Sequence, residues 1–408
     1  GNIRDAYIWS FLHWGFAAWG CYSVVGLALA FHAYRRGLPL TIRSSLAPLF
    51  GEKLSGKIGH SIDVIAVVAT VLGVSQTLGY GVEQFISGLS TIGFGDWLYS
   101  VDEEGVKSTS TLGIIFALLV IMGGATLSAL SGVGKGIKWL SNTNMILSFF
   151  VLTFFLIFGA TFFGLSNFFV GIWDYATSLP GNIFTVWTAD GTEVGDALSD
   201  WQGGWTIFYY AWWIAFAPFV GVFLAKISKG RSIREYIFGA MIVPSLICFI
   251  WFALVGGTAI DLELSNAANG LINNAALSDK LFVMLDVMLG DAAAYFMSVI
   301  IVILLLTYLI TSADSAVLII NTINAAGDDG PKARLHIIFW GIALAMVVGG
   351  LIVAGGLSAI KTAMVIGALP FSFVMVLMGI SLIVAISGDL RRKKYGLQTI
   401  YADEEDTV

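Results

Sequence analysis

Aromatic side chains are grouped in two apolar segments of this sequence, and in the later segment Trp212, Trp213, Phe216 and Phe219 lie too centrally to be interfacial anchors. Three share one broad face of the first segment and two lie in a later one: Trp14, Trp19, Tyr22, Trp212 and Trp213. Aromatic faces grouped around one site attract a quaternary ammonium cation, and each contact contributes about 0.5–2 kcal/mol. For the first segment taken alone, an aromatic belt near a membrane interface is the alternative.

Polar side chains interrupt another apolar segment near its centre. Thr311 and Ser312 are adjacent hydroxyl residues that suit a small hard cation such as Na⁺, with backbone carbonyls as further ligands. Alternatively, these hydroxyls bond back to the preceding helical turn. Asp314 follows closely, and a carboxylate inside a membrane is costly enough to indicate a function, although a structural acceptor is the other interpretation. Glu83 lies toward the end of a further apolar segment, residues 60–90, and is a solvated residue, a gate or a protonatable site.

The composition places the chain in a membrane. Of 408 residues, 57% are hydrophobic and 12% are charged, and the mean hydropathy is +0.86. Soluble domains contain about 25% charged residues. The four histidines form no ligand pair at helical spacing, which argues against a metalloenzyme.

The apolar segments are long enough to cross a hydrocarbon core of about 30 Å, and only helices satisfy their backbone there. The sequence predicts nine helical spans, at residues 7–34, 60–90, 111–131, 143–164, 204–227, 234–258, 292–324, 334–355 and 361–387.

Lys and Arg residues sort the connecting segments into two sides. Seventeen of the 21 follow odd-numbered spans, including Lys135, Lys138, Lys332 and Arg334. The excess of basic residues predicts that these segments and the C-terminus are cytoplasmic and that residue 1 is outside. The acidic residues 102–104 then fall on the outer side. Because an outside start requires a cleaved signal or preceding spans, we expect an odd number of helices upstream.

With these residues in view, the chain resembles the betaine/choline/carnitine transporter (BCCT) family over essentially all 408 residues. The most specific match is WTIFYYAWWIAFAPFVGVFLAKISKGRSIREY from Trp205. Supporting matches are HWGFAAWGCYSVVGLALAF from His13, SALSGVGKGIKWLSNTNM from Ser128 and TSADSA from Thr311.

The resemblance implies an all-α integral membrane fold with LeuT-like inverted five-helix repeats, of which nine helices out of an expected twelve are present. Residues 1–164 would supply four helices of the first repeat, whose first helix is missing. Residues 165–203 would form an extracellular loop with an amphipathic helix, residues 204–387 the complete second repeat, and residues 388–408 a short cytoplasmic tail.

The resemblance also assigns residues to the solute site. It implies that Trp14, Trp19 and Tyr22 form one wall of an aromatic box and that Trp213 forms the opposing wall. Trp212 would line the permeation path. Relatives that carry glycine betaine usually have Trp where this chain has a phenylalanine, at Phe216.

Two sodium sites follow from the same resemblance. Thr311 and Ser312 match hydroxyl ligands of the first site, to which Tyr308 would add its backbone carbonyl. Thr70 and Phe219 match the second site, where Val74 replaces an expected hydroxyl residue and makes one ion per solute an alternative.

The sequence therefore predicts a secondary transporter of the cell membrane that imports a quaternary-ammonium or sulfonium solute, with Na⁺ as the coupling ion. A proton-coupled or sodium-independent carrier, with Glu83 or Asp314 titrating, remains an alternative, as do a ligand-binding channel and a sensor. Membrane lipid is an expected partner. A homotrimer is expected from the resemblance, with the outer stretch at residues 167–188 as its contact.

Overall fold

The structure, a computed structural model, describes residues 2–101, 107–132, 136–328, 330 and 333–397. Several parts of the sequence predictions lie outside the described residues: Lys135, Lys332, the acidic residues 102–104 and residues 398–408 of the predicted tail.

The first predicted span is two helices joined at a break. Helix α1 covers Ile3–Trp14 and helix α2 covers Phe16–Arg36. Gly15 lies between them with a non-helical backbone, φ −101° and ψ −146°. The apolar pattern runs through this glycine without interruption, so hydropathy alone predicts one span.

Short elements link α2 to the next three long helices. Two 3₁₀ turns, Arg43–Leu46 and Gly51–Ser55, flank helix α3, Ala47–Phe50. Helix α4 is followed by a 3₁₀ turn, Asp96–Leu98, and an antiparallel pair of strands in which Tyr99 pairs with Thr109. The bounds are α4 Lys57–Thr91, β1 Tyr99–Val101, β2 Lys107–Thr109, α5 Thr111–Ser131 and α6 Lys138–Phe158.

The region between α6 and the aromatic segment is largely helical. Helix α7 covers Thr161–Asn182 and therefore begins before residue 165, where the sequence predicts the loop. Helix α8, Glu193–Gln202, continues through a π-helical turn, Gly203–Ile207, into α9, Phe208–Ile227. The predicted span 204–227 is thus the second part of a longer helical segment.

The remaining chain forms three further long segments. The first consists of α10 Ile233–Ile237, α11 Val243–Trp251 and α12 Gly257–Leu264, joined by π-helical turns at Phe238–Ile242 and Phe252–Gly256. Two short helices follow, α13 Leu271–Asn274 and α14 Lys280–Met288. The last two segments are α15 Asp291–Asn324 and α16 Arg334–Lys394.

Helix α16 is divided near its middle. Gly355 and Gly356 have non-helical backbone angles, and Gly356 has φ 63°. A positive φ is accessible to glycine without steric cost, which explains a break at this point. The two parts on either side of the break correspond to the predicted spans 334–355 and 361–387.

Eight helical segments of the described chain are long and apolar enough to cross a membrane, and α16 counts as one of them. The described helices therefore agree with an integral membrane protein. The count of nine spans and the inverted repeats remain predictions.

Small residues let the central helices approach one another. A methyl group added at Gly73 of α4 would lie 2.9 Å from the carbonyl carbon of Ala215 and 3.0 Å from the amide nitrogen of Phe216, both on α9. Membrane helices use such residues because close backbone approach increases van der Waals contact. This packing places α4 directly against the helix that carries Trp212 and Trp213.

Candidate functional site

Four aromatic side chains of α2, α9 and the end of α1 form one cluster around Trp213. The ring centroids of Tyr22, Trp19 and Trp14 lie 4.7, 5.3 and 5.5 Å from that of Trp213. Trp213 is 6% exposed. We call Trp14, Trp19, Tyr22 and Trp213 the aromatic cluster. The sequence predicted these residues as walls of one box, and the structure brings them together.

The break at Gly15 explains how the Trp213 ring is held. Because α1 ends at Trp14, the backbone carbonyl of His13 lacks a partner within its own helix. The indole Nε1 of Trp213 donates a hydrogen bond to this oxygen at 2.8 Å. The end of α1 therefore fixes the orientation of the central ring.

Trp212 faces a different neighbourhood from Trp213. Its Nε1 donates to Thr77 Oγ1 at 3.2 Å, and its ring lies 5.7 Å from Phe208 and 5.9 Å from Tyr80. A centroid distance of 6.4 Å still links it to Trp14. Trp212 thus lies beside the aromatic cluster rather than within it.

Phe216 lies at the other edge of the cluster, 6.4 Å from Tyr22. Its second aromatic neighbour is Phe219, at 5.0 Å and an interplanar angle of 85°. Phe219 itself is buried. The two phenylalanines therefore form a continuous aromatic surface from the cluster along α9.

A cavity of about 580 Å³ lies next to Trp14. Sequence reasoning missed most of its lining, because it combines α1 with residues of the predicted outer loop. Trp9 packs 5.0 Å from Trp201 and 5.4 Å from Trp187, and these three rings line the cavity together with His13, Tyr209 and Asp5. The only signal in the sequence is that these three lining residues are tryptophans, which does not indicate that they lie close together. Trp14 borders both the cavity and the aromatic cluster, so the two regions are adjacent.

The hydroxyl of Thr311 bonds within the helix and to a neighbouring one. Its Oγ1 donates to the carbonyl of Thr307 at 2.6 Å, which confirms the back-bonding alternative for this residue. The same Oγ1 accepts a hydrogen bond from Asn144 Nδ2 at 2.9 Å. One lone pair of the threonine oxygen remains available to a cation. Ser312, the next residue, is half-buried.

Tyr308 lies one turn before Ser312 and its side chain is 47% exposed. Its hydroxyl lies 2.9 Å from Ser148 Oγ on α6. The part predicted to contact sodium is the backbone carbonyl, so this side-chain contact leaves that prediction untested.

Thr70 of α4 carries a buried hydroxyl with no hydrogen-bond partner among the described residues. A buried hydroxyl of this kind is costly unless something binds it, and a hard oxygen is a suitable ligand for Na⁺. Val74, where a second hydroxyl is expected, is fully buried and apolar. Within the described chain, no hydrogen bond joins Thr70 to Thr311.

Asp314 is fully buried and has two hydroxyl partners. Ser128 Oγ of α5 donates to its Oδ2 at 2.6 Å, and Ser315 Oγ donates to its Oδ1 at 3.0 Å. The salt bridges of the described residues do not include this carboxylate. Across the same residues, no group of three His, Cys, Asp or Glu side chains could hold a metal ion.

Residues 1–391 match BCCT, the betaine/carnitine/choline family transporter. The chain belongs to the BCCT family. It is therefore a multi-pass membrane protein of a transporter family and not an enzyme.

Several BCCT relatives align over nearly the whole chain. A glycine betaine transporter of Bacillus subtilis, OpuD, is 36% identical over 392 residues, which cover 96% of this chain and 72% of the relative. A glycine betaine/proline/choline transporter of Vibrio parahaemolyticus is 38% identical over 380 residues, covering 93% and 64%. An uncharacterised transporter of Mycobacterium tuberculosis is 40% identical over 372 residues, and the chain spans 58% of its length.

Proposed function

We propose that this chain carries the solute site of a secondary transporter that imports a quaternary-ammonium compound of the betaine or choline type. The observation that carries the proposal is the aromatic cluster, in which three rings lie within 5.5 Å of Trp213. Its buried position suits a desolvated trimethylammonium group, because cation–π attraction is strongest where water is excluded. Trp212 contributes to the path beside the cluster.

The solute reaches this cluster from the cavity that borders Trp14. Trp9 and Trp201 offer aromatic faces in the cavity, and Asp5 offers a carboxylate. Aromatic contact therefore continues from the cavity to Trp213. Rocking of one helix group against another then opens the opposite side, as alternating access requires.

Transport is coupled to Na⁺ in this proposal. Thr311 and Ser312 supply hydroxyl oxygens and Tyr308 its backbone carbonyl. The free lone pair of Thr311 supports this assignment. Thr70 and Phe219 form a second, weaker site, because Val74 brings no oxygen. Phe216 sets the preference among solutes, since it borders Tyr22 at a position where the family resemblance implies tryptophan in carriers of glycine betaine.

The test is solute uptake by the natural full-length protein in proteoliposomes. We expect glycine betaine uptake to require an inward sodium gradient and to fall when potassium replaces sodium. Thr311→Ala should raise the sodium concentration for half-maximal uptake. If uptake by the wild type does not depend on sodium, the proposed sodium coupling is contradicted. If the protein binds no quaternary-ammonium solute, the proposed transport function is contradicted.

Proton coupling is the second candidate, and the burial of Asp314 without a cationic partner among the described residues favours it. A carboxylate in this position is stabilised by protonation or by a bound cation. Glu83, half-buried near the outer end of α4, is the other candidate. Uptake that rises at acid pH and is indifferent to sodium would support this mechanism.

We further propose that the helices form two inverted five-helix repeats, that the C-terminus is cytoplasmic and that the protein is a homotrimer in the cell membrane. Helix α7 supports the trimer contact, because Phe162, Phe169 and Trp173 are largely exposed on it. Cross-linking between single cysteines introduced on α7 would test the contact, and a monomer in mild detergent would contradict it.

A further inference from the structure

Helices α6 and α15 meet through a group of polar side chains in an otherwise apolar region. Asn144 and Ser148 of α6 face three hydroxyl residues of α15, Thr307, Tyr308 and Thr311. Two of these α15 residues are assigned above to the sodium site. The contact therefore links α6 to that site.

The hydrogen atoms of this group can be assigned from their partners. Backbone carbonyls only accept, so the Thr311 proton points to Thr307 O, and the Thr307 proton points to Ile303 O or Leu304 O. The Ser148 proton points to the carbonyl of Asn144 at 2.7 Å. Tyr308 must therefore donate its proton to Ser148.

The same reasoning fixes the orientation of the Asn144 amide. Its Nδ2 lies 2.9 Å from Thr311 Oγ1 and 3.4 Å from the carbonyl of Thr307. The carbonyl can only accept, and the Thr311 hydroxyl has already donated its proton. Both neighbours therefore require a donor, which places the nitrogen toward α15 and leaves Oδ1 as the other end of the amide.

Oδ1 of Asn144 has no hydrogen-bond partner among the described residues. Asn144 is buried and only 4% exposed. The hydroxyl protons of Thr307, Thr311, Ser148 and Tyr308 all point elsewhere, so none can serve it. A buried amide oxygen without a donor is costly. A hard cation would satisfy this oxygen, because amide oxygens are ligands of such ions.

We propose that Asn144 Oδ1 is a ligand of the transported sodium ion, next to Thr311. This inference rests on the proposed sodium coupling and adds a ligand from α6 to a site otherwise built from α15. Asn144 Nδ2 at the same time holds the Thr311 hydroxyl, so that one side chain both binds the ion and positions a second ligand.

The test compares Asn144→Ala and Asn144→Asp in the full-length protein, by measuring betaine uptake in proteoliposomes against sodium concentration. Alanine removes the oxygen, and we expect the half-saturating sodium concentration to rise about tenfold, equivalent to about 1.4 kcal/mol. Aspartate keeps an oxygen and adds negative charge but loses the Nδ2 donor to Thr311, so its half-saturating sodium concentration should lie clearly below that of the alanine variant. The KM for betaine at saturating sodium should stay within about twofold in both variants.

Asn321→Ala is the matched control. Asn321 is a similarly buried asparagine on α15, and its Nδ2 bonds to the carbonyl of Val317 within its own helix. It should leave the sodium dependence unchanged, and size-exclusion profiles should show all variants folded. The inference is overturned if Asn144→Ala keeps the wild-type sodium dependence, or if the alanine and aspartate variants lose it equally.

The outcomes separate this inference from the coupling itself. If wild-type uptake ignores sodium, the proposed coupling fails and the role of Asn144 fails with it. If the wild type and Thr311→Ala respond as expected but Asn144→Ala does not, the coupling stands and only the ligand role of Asn144 is overturned.

Discussion

Replacing Trp213 by leucine should weaken solute binding by an amount that the cluster geometry predicts. Trp213 has three aromatic neighbours within 5.5 Å and is 6% exposed, so a bound cation would be largely desolvated. A desolvated cation–π contact contributes about 1–2 kcal/mol. Loss of this contact should raise the apparent KM for glycine betaine about fivefold to thirtyfold.

Trp213→Phe separates the aromatic face from the hydrogen bond. Both substitutions lose the indole bond to the carbonyl of His13, which contributes roughly 0.5–1.5 kcal/mol to stability. Only leucine also loses the π face. Phenylalanine should therefore retain most of the affinity, and the difference between the two variants measures the cation–π contribution.

The assay is uptake of labelled glycine betaine in proteoliposomes, with competition by 3,3-dimethylbutanoate, in which carbon replaces the ammonium nitrogen. The isostere, which keeps the carboxylate but lacks the positive charge, should lose much less affinity than betaine on Trp213→Leu. Trp139→Leu, an exposed tryptophan on α6, is the control and should change neither value. Equal losses for betaine and its isostere, or an unchanged KM in Trp213→Leu, would refute the cation–π reasoning.

Three further predictions follow from other contacts. Gly73→Ala should destabilise the detergent-solubilised protein by about 1–3 kcal/mol, because the new methyl group meets the backbone of α9. Thermal unfolding measures this loss. The control is Gly123→Ala, which should leave the stability unchanged because the new methyl group enters open space. Arg4 lowers the pKa of Asp174 by hydrogen bonding and by its charge. Asp174→Asn should therefore lower the free energy of unfolding at pH 7, but by at most about 1 kcal/mol, since the Arg4 side chain is 62% exposed. Because the pKa is lowered in the folded protein, the stabilisation is complete above the ordinary Asp value of about 3.9 and is lost as the pH falls through the lower folded value. The difference in stability between variant and wild type should therefore shrink as the pH falls below about 3.9, and a pH-independent difference would contradict this. Asp314→Asn should leave the pH profile of sodium-driven uptake unchanged, and a lost pH dependence would instead favour proton coupling.

Hydropathy predicted most of the fold because each membrane span must present a long apolar run. It missed features that carry no apolar signal. The polar helix α8 continues into α9, so the helical segment that carries Trp212 and Trp213 begins at Glu193 rather than at residue 204. Gly15 divides the first span, and a single glycine inside an apolar run has many possible explanations.

The structure brings together the residues of the proposed solute site more completely than those of the proposed ion sites. Trp14, Trp19, Tyr22 and Trp213 meet as the motif resemblance implied. Trp9, Trp187 and Trp201 were missed because their proximity depends on how α1 packs against a distant segment. Asn144 was missed for the same reason, since 167 residues separate it from Thr311.

The sequence by itself determined the membrane class, the approximate spans, the family and the identity of the aromatic residues, because those depend on composition and on local motifs. Only the tertiary structure decided which ring is central, which backbone carbonyl orients it and which amide oxygen is left without a donor. These are properties of contacts between helices far apart in the chain. Hydrogen-bond partners across such contacts depend on distances of a few tenths of an ångström, which no residue pattern specifies.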